Sequence, residues 1–156
     1  MRVVIAAVGR MKTGPERDLV EDYLARFDRT GAPLGLGPCE IREVDERKAS
    51  TSKSPSAALE KLIPEGALTI CLDERGQKWS SRQFAAQLAS WRDTGQRDVA
   101  FLIGGADGLG VSLRARSQLA LSLGQMVWPH KLARVMFSEQ LYRAATILAG
   151  TPYHRD

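Results

Sequence analysis

Residues 98–110, DVAFLIGGADGLG, join an apolar run to a turn that contains four glycines. The run ends at Ile103 without alternating apolar and polar residues, which is typical of a strand covered on both faces in a parallel sheet. Ligands bind beyond the carboxyl ends of such strands, and a turn without side chains lets a ligand approach the backbone. The stretch therefore predicts a ligand site in an α/β fold. A tight turn that only needs positive φ angles is the alternative.

The spacing of these glycines excludes two common nucleotide sites. It fits neither the GxGxxG pattern of dinucleotide-binding proteins nor the GxxxxGK[ST] pattern of P-loop proteins. The first apolar run is followed by Gly9, Arg10, Met11 and Lys12, which is not a dinucleotide fingerprint either. We therefore expect a nucleotide-like ligand that is held in a different way from NAD or ATP.

Strand and helix patterns alternate along the whole sequence, which predicts one α/β domain over residues 1–156, with a mainly parallel sheet flanked by helices. The other apolar runs are 2–8, 40–44, 67–72 and 119–123, and helical patterns begin after Pro15, Pro55 and Ser80. The last helix has an apolar stripe of Phe137, Leu141, Ala144, Ala145 and Leu148 and is stopped by Gly150 and Pro152. Residues 45–56 are polar, serine-rich and basic, and they predict a mobile loop rather than a linker.

Composition limits the class of protein. With 156 residues, 44% hydrophobic and 26% charged, the chain can bury one sizeable core. The apolar run near the amino terminus is too short for a signal peptide or a membrane span, so we expect a cytoplasmic protein with no membrane partner. Cys39 and Cys71 lie in predicted strands without CxxC spacing, which indicates buried free thiols rather than a disulfide or a metal site.

The positive charge is concentrated near the carboxyl terminus. From Arg114 onward, six basic and two acidic residues account for the whole net charge of +4, and both histidines lie there as well. This distribution suits a polyanionic partner such as RNA. A solvated helix face that is merely basic is the alternative.

Residues 122–130, SLGQMVWPH, form an apolar loop between the last strand and the last helix. Loops normally present polar residues to water, so Met126, Val127 and Trp128 are expected to line a pocket and to leave backbone groups available for a ligand such as an adenine ring. Ordinary core filling before a helix that begins near Pro129 is the alternative.

The tail 151–156, TPYHRD, combines an aromatic ring, an imidazole and a guanidinium. Tyr153 can stack on a base, Arg155 can pair with a phosphate, and His154 carries an imidazole that can accept or donate a proton, so the tail suits the holding and deprotonation of a nucleobase. A disordered polar end is the alternative. Glu139 and Arg143, four residues apart, predict an ordinary ion pair on a helix surface.

Short segments in a fixed order along nearly the whole chain together resemble the RlmH family of SPOUT-class RNA methyltransferases. The segments are 4–9 (VIAAVG), 72–73 (LD), 102–109 (LIGGADGL), 122–123 (SL), 129–130 (PH), Glu139 with 141–144 (LYRA), and 152–155 (PYHR). Two places depart from the family pattern: Ala106-Asp107 replace proline and glutamate, and Trp128 replaces a smaller aliphatic residue. These departures affect the expected contacts in the pocket more than the expected reaction.

The resemblance implies a SPOUT fold with a trefoil knot near the cofactor and a homodimer paired through terminal helices. It implies that S-adenosylmethionine is the cofactor and that the reaction is methylation of N3 of a pseudouridine in 23S ribosomal RNA, in the large subunit or the assembled ribosome. No metal is implied. The implied cofactor contacts are Leu72, Gly104, Gly105, Gly124, Gln125, Met126, Val127, Trp128 and Pro129.

For the reaction, the expected catalytic residues are Tyr153, His154 and Arg155. His154 as a base, or Arg155 as a cation that stabilises the imide anion, could activate N3, and the sequence leaves both open. A short tail is expected to reach the cofactor pocket of the partner protomer rather than its own. Two other functions remain open at this point: a non-catalytic RNA- or ribosome-binding protein on the same scaffold, and an α/β enzyme that acts on a soluble nucleotide.

Overall fold

The computed structural model describes residues 1–45, 55–105 and 108–155. Within them, one five-stranded sheet has the strand order β2-β1-β4-β3-β5, and each pairing is parallel. The α/β prediction of a single-domain parallel sheet flanked by helices is confirmed. The elements are β1 Arg2–Val8, α1 Pro15–Gly31, a 3-10 turn Ala32–Leu34, β2 Cys39–Val44, α2 Pro55–Glu60, β3 Leu68–Lys78, α3 Ser81–Asp93, β4 Asp98–Ile103, α4 Val111–Arg116, β5 Leu119–Ser122 and α5 His130–Ala149.

Two hydrophobic clusters cover the two faces of the sheet. Side chains alternate across a strand, so Val3 and Ile5 of β1 face one cluster while Val4 and Ala6 face the other. The first cluster contains buried residues of α1, α3 and α5, and the second contains buried residues of α2 and α4. This two-sided burial explains why the runs of β1 and β4 are continuously apolar.

The last helix packs as its stripe predicts. Phe137, Leu141, Ala144 and Ala145 are buried, and the ring of Phe137 lies 4.5 Å from that of Phe101 in β4, measured between centroids. The helix ends at Gly150, whose φ of 67° is in the left-handed region that favours glycine. The stripe therefore fixes α5 to the sheet over its central turns.

Strand β3 continues six residues beyond the predicted end at Leu72. Leu121 of β5 pairs with both Leu72 and Gln77, so the residues between them bulge out of the ladder. A Cβ on Gly76 would lie 2.6 Å from the backbone of Ala120, so there is no room for a side chain between Gly76 of β3 and Ala120 of β5. The knot that the resemblance implies stays a prediction.

Several predictions concern features outside the core. Cys71 is buried, Cys39 is half-buried at the start of β2, and both are free thiols. The predicted mobile loop at 45–56 lies mostly on residues 46–54, which are outside the described residues. Ala106 and Asp107, which depart from the family pattern, also lie outside the described residues. None of the helices in the described ranges has the length and apolar character needed to cross a bilayer.

Candidate active site

A cavity of about 760 Å³ lies at the bulge of β3 and the carboxyl end of β4, beside the loop that leads into α5. It is lined by Leu72, Ile103, Gly104 and Gly105 from the sheet, and by residues 123–124 and 126–130 from the loop that leads into α5. The volume is in the range of small-molecule sites, and the position beyond the strand ends is the one that parallel sheets favour. The two sequence stretches that predicted a ligand site therefore border one cavity.

Apolar side chains form the mouth of this cavity. Met126 and Val127 are 70% and 79% exposed, and Trp128 is 39% exposed, although all three line the cavity. The alternative that these residues fill the core is therefore wrong. Exposed apolar groups beside a concave site are well suited to cover a flat aromatic ligand.

The glycine turn serves both of the roles considered for it. Gly108 has a φ of 72°, and Gly105 and Gly108 form a short antiparallel bridge, as a tight turn requires. A Cβ on Gly104 would overlap the backbone of Gly108, so a side chain there would force the turn open. The same glycines line the cavity, where they leave backbone groups within reach of a ligand.

The polar end of the cavity was not predicted from the sequence. Asp73, Glu74, Arg75 and Arg114 line it, and Arg114 Nη1 lies 3.0 Å from Asp73 Oδ2. The backbone N–H of Arg75, followed by Arg114, holds the pKa of Asp73 below its ordinary value. Three consecutive charged residues after an apolar run were the signal that could have indicated this end.

The C-terminal tail folds back against α5. The backbone N–H of Thr151 donates to Thr146 O at 3.0 Å, and the Tyr153 hydroxyl donates to Glu139 Oε1 at 3.0 Å. Arg143 Nε donates to the same carboxylate oxygen at 3.0 Å. The pair of Glu139 and Arg143 is therefore more than the predicted surface ion pair, because it also anchors the tail. The alternative of a disordered end does not hold for residues 151–155.

The three predicted catalytic residues have different environments. The Tyr153 ring lies 4.6 Å from the ring of Tyr142, and burial, together with Glu139, raises the pKa of its phenol, so the group stays protonated at neutral pH. His154 is half-buried, with Nδ1 at 3.3 Å from Arg143 Nη1. Arg155 is exposed. The tail thus presents one held aromatic ring, one imidazole beside a guanidinium, and one cation in solvent.

The described tail residues do not line the cavity at the strand ends. Glu139 instead lines a neighbouring cavity of about 640 Å³, and the two cavities share Leu123 and Gly124. In a single protomer, eight of the predicted cofactor residues therefore line one cavity, and the described tail residues do not line it.

A family model described as "Predicted SPOUT methyltransferase" matches residues 1–154. The chain belongs to the SPOUT methyltransferase family. This confirms the family that the short segments indicated. S-adenosylmethionine is the methyl donor of SPOUT methyltransferases and hence the cofactor of this chain.

Relatives of this SPOUT chain are similar over their full length. A protein of Dinoroseobacter shibae named "Ribosomal RNA large subunit methyltransferase H" is 60% identical over 155 residues, which cover 99% of each chain. A protein of the same name from Ruegeria pomeroyi is 58% identical, also with 99% of each chain covered. A solved structure from Haemophilus influenzae, described as a "probable methylase family protein", has a TM-score of 0.51 at 14% identity, with 99% of this chain and 70% of that chain covered, and so shows the same fold.

The residues of the SPOUT cavity fit this cofactor. S-adenosylmethionine has an aromatic adenine at one end and a zwitterionic amino acid at the other, and the cavity is likewise lined by both apolar and charged side chains. Eight of the nine predicted contact residues line the cavity, and Gln125 is the exception, being exposed beside it. Among the residues that the structure describes, no three His, Cys, Asp or Glu side chains converge as a metal site.

Proposed function

We propose that this chain methylates N3 of a pseudouridine in the 23S ribosomal RNA of the large subunit. The observation that carries the proposal is the 60% identity, over 99% of both chains, to a relative named as a large-subunit ribosomal RNA methyltransferase. Within the proposal, residues 1–156 act as one methyltransferase domain in the cytoplasm. The substrate is the RNA in the large subunit or in the assembled ribosome.

The proposed cofactor contacts are the predicted ones. Leu72, at the bulge of β3, and Gly104 and Gly105, after β4, would supply backbone groups to the cofactor, and the residues that would hold its adenine are those of the loop Gly124, Gln125, Met126, Val127, Trp128 and Pro129. S-adenosylmethionine supplies a methyl group on a sulfonium, which leaves as a neutral thioether and needs no acid. The task of the protein is therefore alignment of the methyl group with N3 and stabilisation of the nucleophile.

The tail stabilises the nucleophile in this proposal. A guanidinium N–H can only donate, so His154 Nδ1 accepts from Arg143, and a neutral imidazole then carries its proton on Nε2. Nε2–H and the Arg155 guanidinium are both donors that suit the carbonyl oxygens on which an imide anion places its charge. The N3 proton would be lost to water first, so that the stabilised anion is the nucleophile, and the S–CH₃ bond would break as the N–CH₃ bond forms. In this arrangement His154 is a donor rather than a base, and Tyr153 positions it.

We further propose that a homodimer is the active unit, with the tail of one protomer at the cofactor cavity of the other. The separation of tail and cavity within one protomer supports this arrangement. Exposed leucines on α1 and α5, two helices that pack against each other, also support it, since Leu19 is 45% and Leu132 is 42% exposed. Two copies that cover such residues would bury apolar surface.

Calorimetry tests the proposed function against its two alternatives. A methyltransferase binds S-adenosylmethionine and also has affinity for ribosomal RNA. Affinity for RNA without affinity for the cofactor would replace the proposal with a binding protein. Affinity for another nucleotide in place of S-adenosylmethionine would replace it with an enzyme of soluble nucleotides. S-adenosylhomocysteine is the matched control for recognition of the cofactor's ends, because it has the same adenine and amino-acid groups but no transferable methyl group.

A further inference from the structure

The loop 9–14, which follows β1, is held by hydrogen bonds on several sides. Gly9 N donates to Val44 O at 2.8 Å, and Met11 N donates to Glu43 Oε1 at 2.9 Å, so β2 fixes one side. Arg17 Nη1 of α1 donates to Met11 O at 3.0 Å. With contacts from two different elements, this short connection has a fixed shape.

A fully buried arginine of α5 completes the attachment. Arg134 is 0% exposed, and its Nη2 donates to Val8 O at 2.5 Å and to Gly9 O at 2.7 Å. Its Nη1 lies 2.7 Å from Glu43 Oε1, the same oxygen that accepts from Met11 N. Through Nη1 and Nη2 the buried guanidinium contacts one carboxylate and two carbonyl oxygens, so it joins α5 to β1 and β2.

Two cations project from this fixed loop. Gly9 and Met11 are buried, whereas Arg10 and Lys12 between and after them are exposed. Two acids of the neighbouring elements have partners within the fold, since Glu43 binds Arg134 and Glu21 binds Arg17. Glu16 and Asp18 lie in the first turn of α1, where the helix dipole favours negative charge. Arg10 and Lys12 thus present their charge to solvent from a rigid backbone.

The loop lies beside the cofactor cavity. All strands are parallel and β1 pairs with β4, so the loop after β1 and the glycine turn after β4 lie at the same edge of the sheet. His130 lines the cavity, and Arg134, four residues later in α5, contacts Gly9. Four residues of helix span about 6 Å along the axis. The two cations therefore lie at the same edge of the sheet as the cofactor cavity.

We propose that Arg10 and Lys12 bind RNA backbone phosphates next to the target nucleotide and that the pair of Arg134 and Glu43 fixes the loop that presents them. This inference rests on the proposed function, since it takes RNA as the substrate. Contacts to phosphate set the position and orientation of a bound nucleic acid without reading its sequence. A rigid loop suits that task, because no loop ordering opposes binding.

The test compares two double variants with equal loss of charge. Arg10→Ala with Lys12→Ala removes the proposed contacts. Arg29→Ala with Arg97→Ala is the matched control, because both arginines are exposed and lie at the opposite edge of the sheet, at the end of α1 and before β4. Binding of each variant to large ribosomal subunits is measured over a range of salt concentrations, together with thermal stability and affinity for S-adenosylmethionine.

The loop variant is expected to bind subunits about tenfold more weakly than wild type, with a salt dependence shallower by about one to two in the slope of log affinity against log salt. Its cofactor affinity and thermal stability should match the control. Arg10→Lys with Lys12→Arg should restore binding. Equal affinity of the loop variant and the control for subunits, or no affinity of the wild type, overturns the inference. A wild type that binds subunits through the loop but transfers no methyl group would instead contradict the proposed function.

Discussion

At the scale of the residue, Asp73 in the cavity accepts hydrogen bonds that favour its ionised form. One of these donors is distant in sequence, so no local sequence pattern predicts it. Asp73 accepts from the backbone N–H of Arg75 at 2.9 Å and from Arg114, which is 41 residues away along the chain. Leu72-Asp73 was part of the resemblance, but the ion pair with Arg114 depends on how α4 packs. The carboxylate is only 15% exposed, so its ionised form depends on these donors.

Asp73→Asn tests this dependence through pH. The folded state lowers the pKa of Asp73 from an ordinary value of 3.8, so ionised Asp73 stabilises the fold above that value. The contribution is lost as pH falls through the lower pKa of the folded state. We expect the variant to have a lower melting temperature than wild type at neutral pH. The difference between the two melting temperatures should become smaller below about pH 4.

The measurement is the melting temperature of both chains over a pH series. Because the other carboxylates are the same in both chains, the difference between the two melting temperatures reports on Asp73. Asp93→Asn is the matched control, because Asp93 pairs with neighbouring Arg92 but is 64% exposed. A difference that stays constant in acid, or that equals the difference of the control, would contradict the role assigned to Asp73.

At the scale of the element, the sequence predicted strand boundaries correctly where both faces of the strand are buried. The runs 2–8 and 98–103 match β1 and β4 at both ends, because both faces of these strands are covered. The polar half of β3 was not predicted, since it pairs with β5 across a bulge that only the tertiary structure creates. Helix α4 has six residues, which is too short for a helical period to show.

The sequence also did not predict how α5 is attached to β1 and β2. Arg134 and Glu43 are 91 residues apart, and the sequence analysis counted Arg134 only as part of a basic segment. The structure shows it fully buried, so it contributes nothing to a surface that could bind RNA directly. Its charge acts within the fold instead.

Arg134→Met should therefore lower the free energy of unfolding by about 3–5 kcal/mol, because it removes the charge partner of Glu43, which keeps only the Met11 N–H, and the side-chain donor to two carbonyl groups. Glu43→Gln keeps an amide oxygen that can accept from both former donors, so a smaller loss is expected. Urea denaturation measures both. A loss below about 1 kcal/mol for Arg134→Met would show that the buried pair does not hold α5 in place.

At the scale of the whole molecule, the cavity and the tail are the two halves of the proposed active site. The cavity could be anticipated from the glycine turn and the apolar loop, since both follow strands of a parallel sheet. The contact of the tail with α5 could not, because Glu139 and Tyr153 are brought together only by the reversal of the chain after Gly150. How two protomers combine these halves is the proposal of the homodimer.

Mixed dimers test that proposal. One chain lacks residues 151–156 and keeps its cavity, and the other keeps its tail but carries Gly104→Val, which blocks the glycine turn. Each homodimer should be inactive. If the tail acts on the partner, the mixed dimer should recover activity at one of its two sites, and the measurement is methyl transfer by dimers purified with two different affinity tags. A mixed dimer without activity would mean that the tail acts within its own chain.

The central claim is the reaction itself. Ribosomes from a strain without this protein are incubated with the chain and S-adenosylmethionine labelled in the methyl group, and the nucleosides of the 23S RNA are then separated. The account predicts label in N3-methylated pseudouridine. Absence of label from free RNA, large subunits and whole ribosomes, while the chain measurably binds the cofactor, would contradict it.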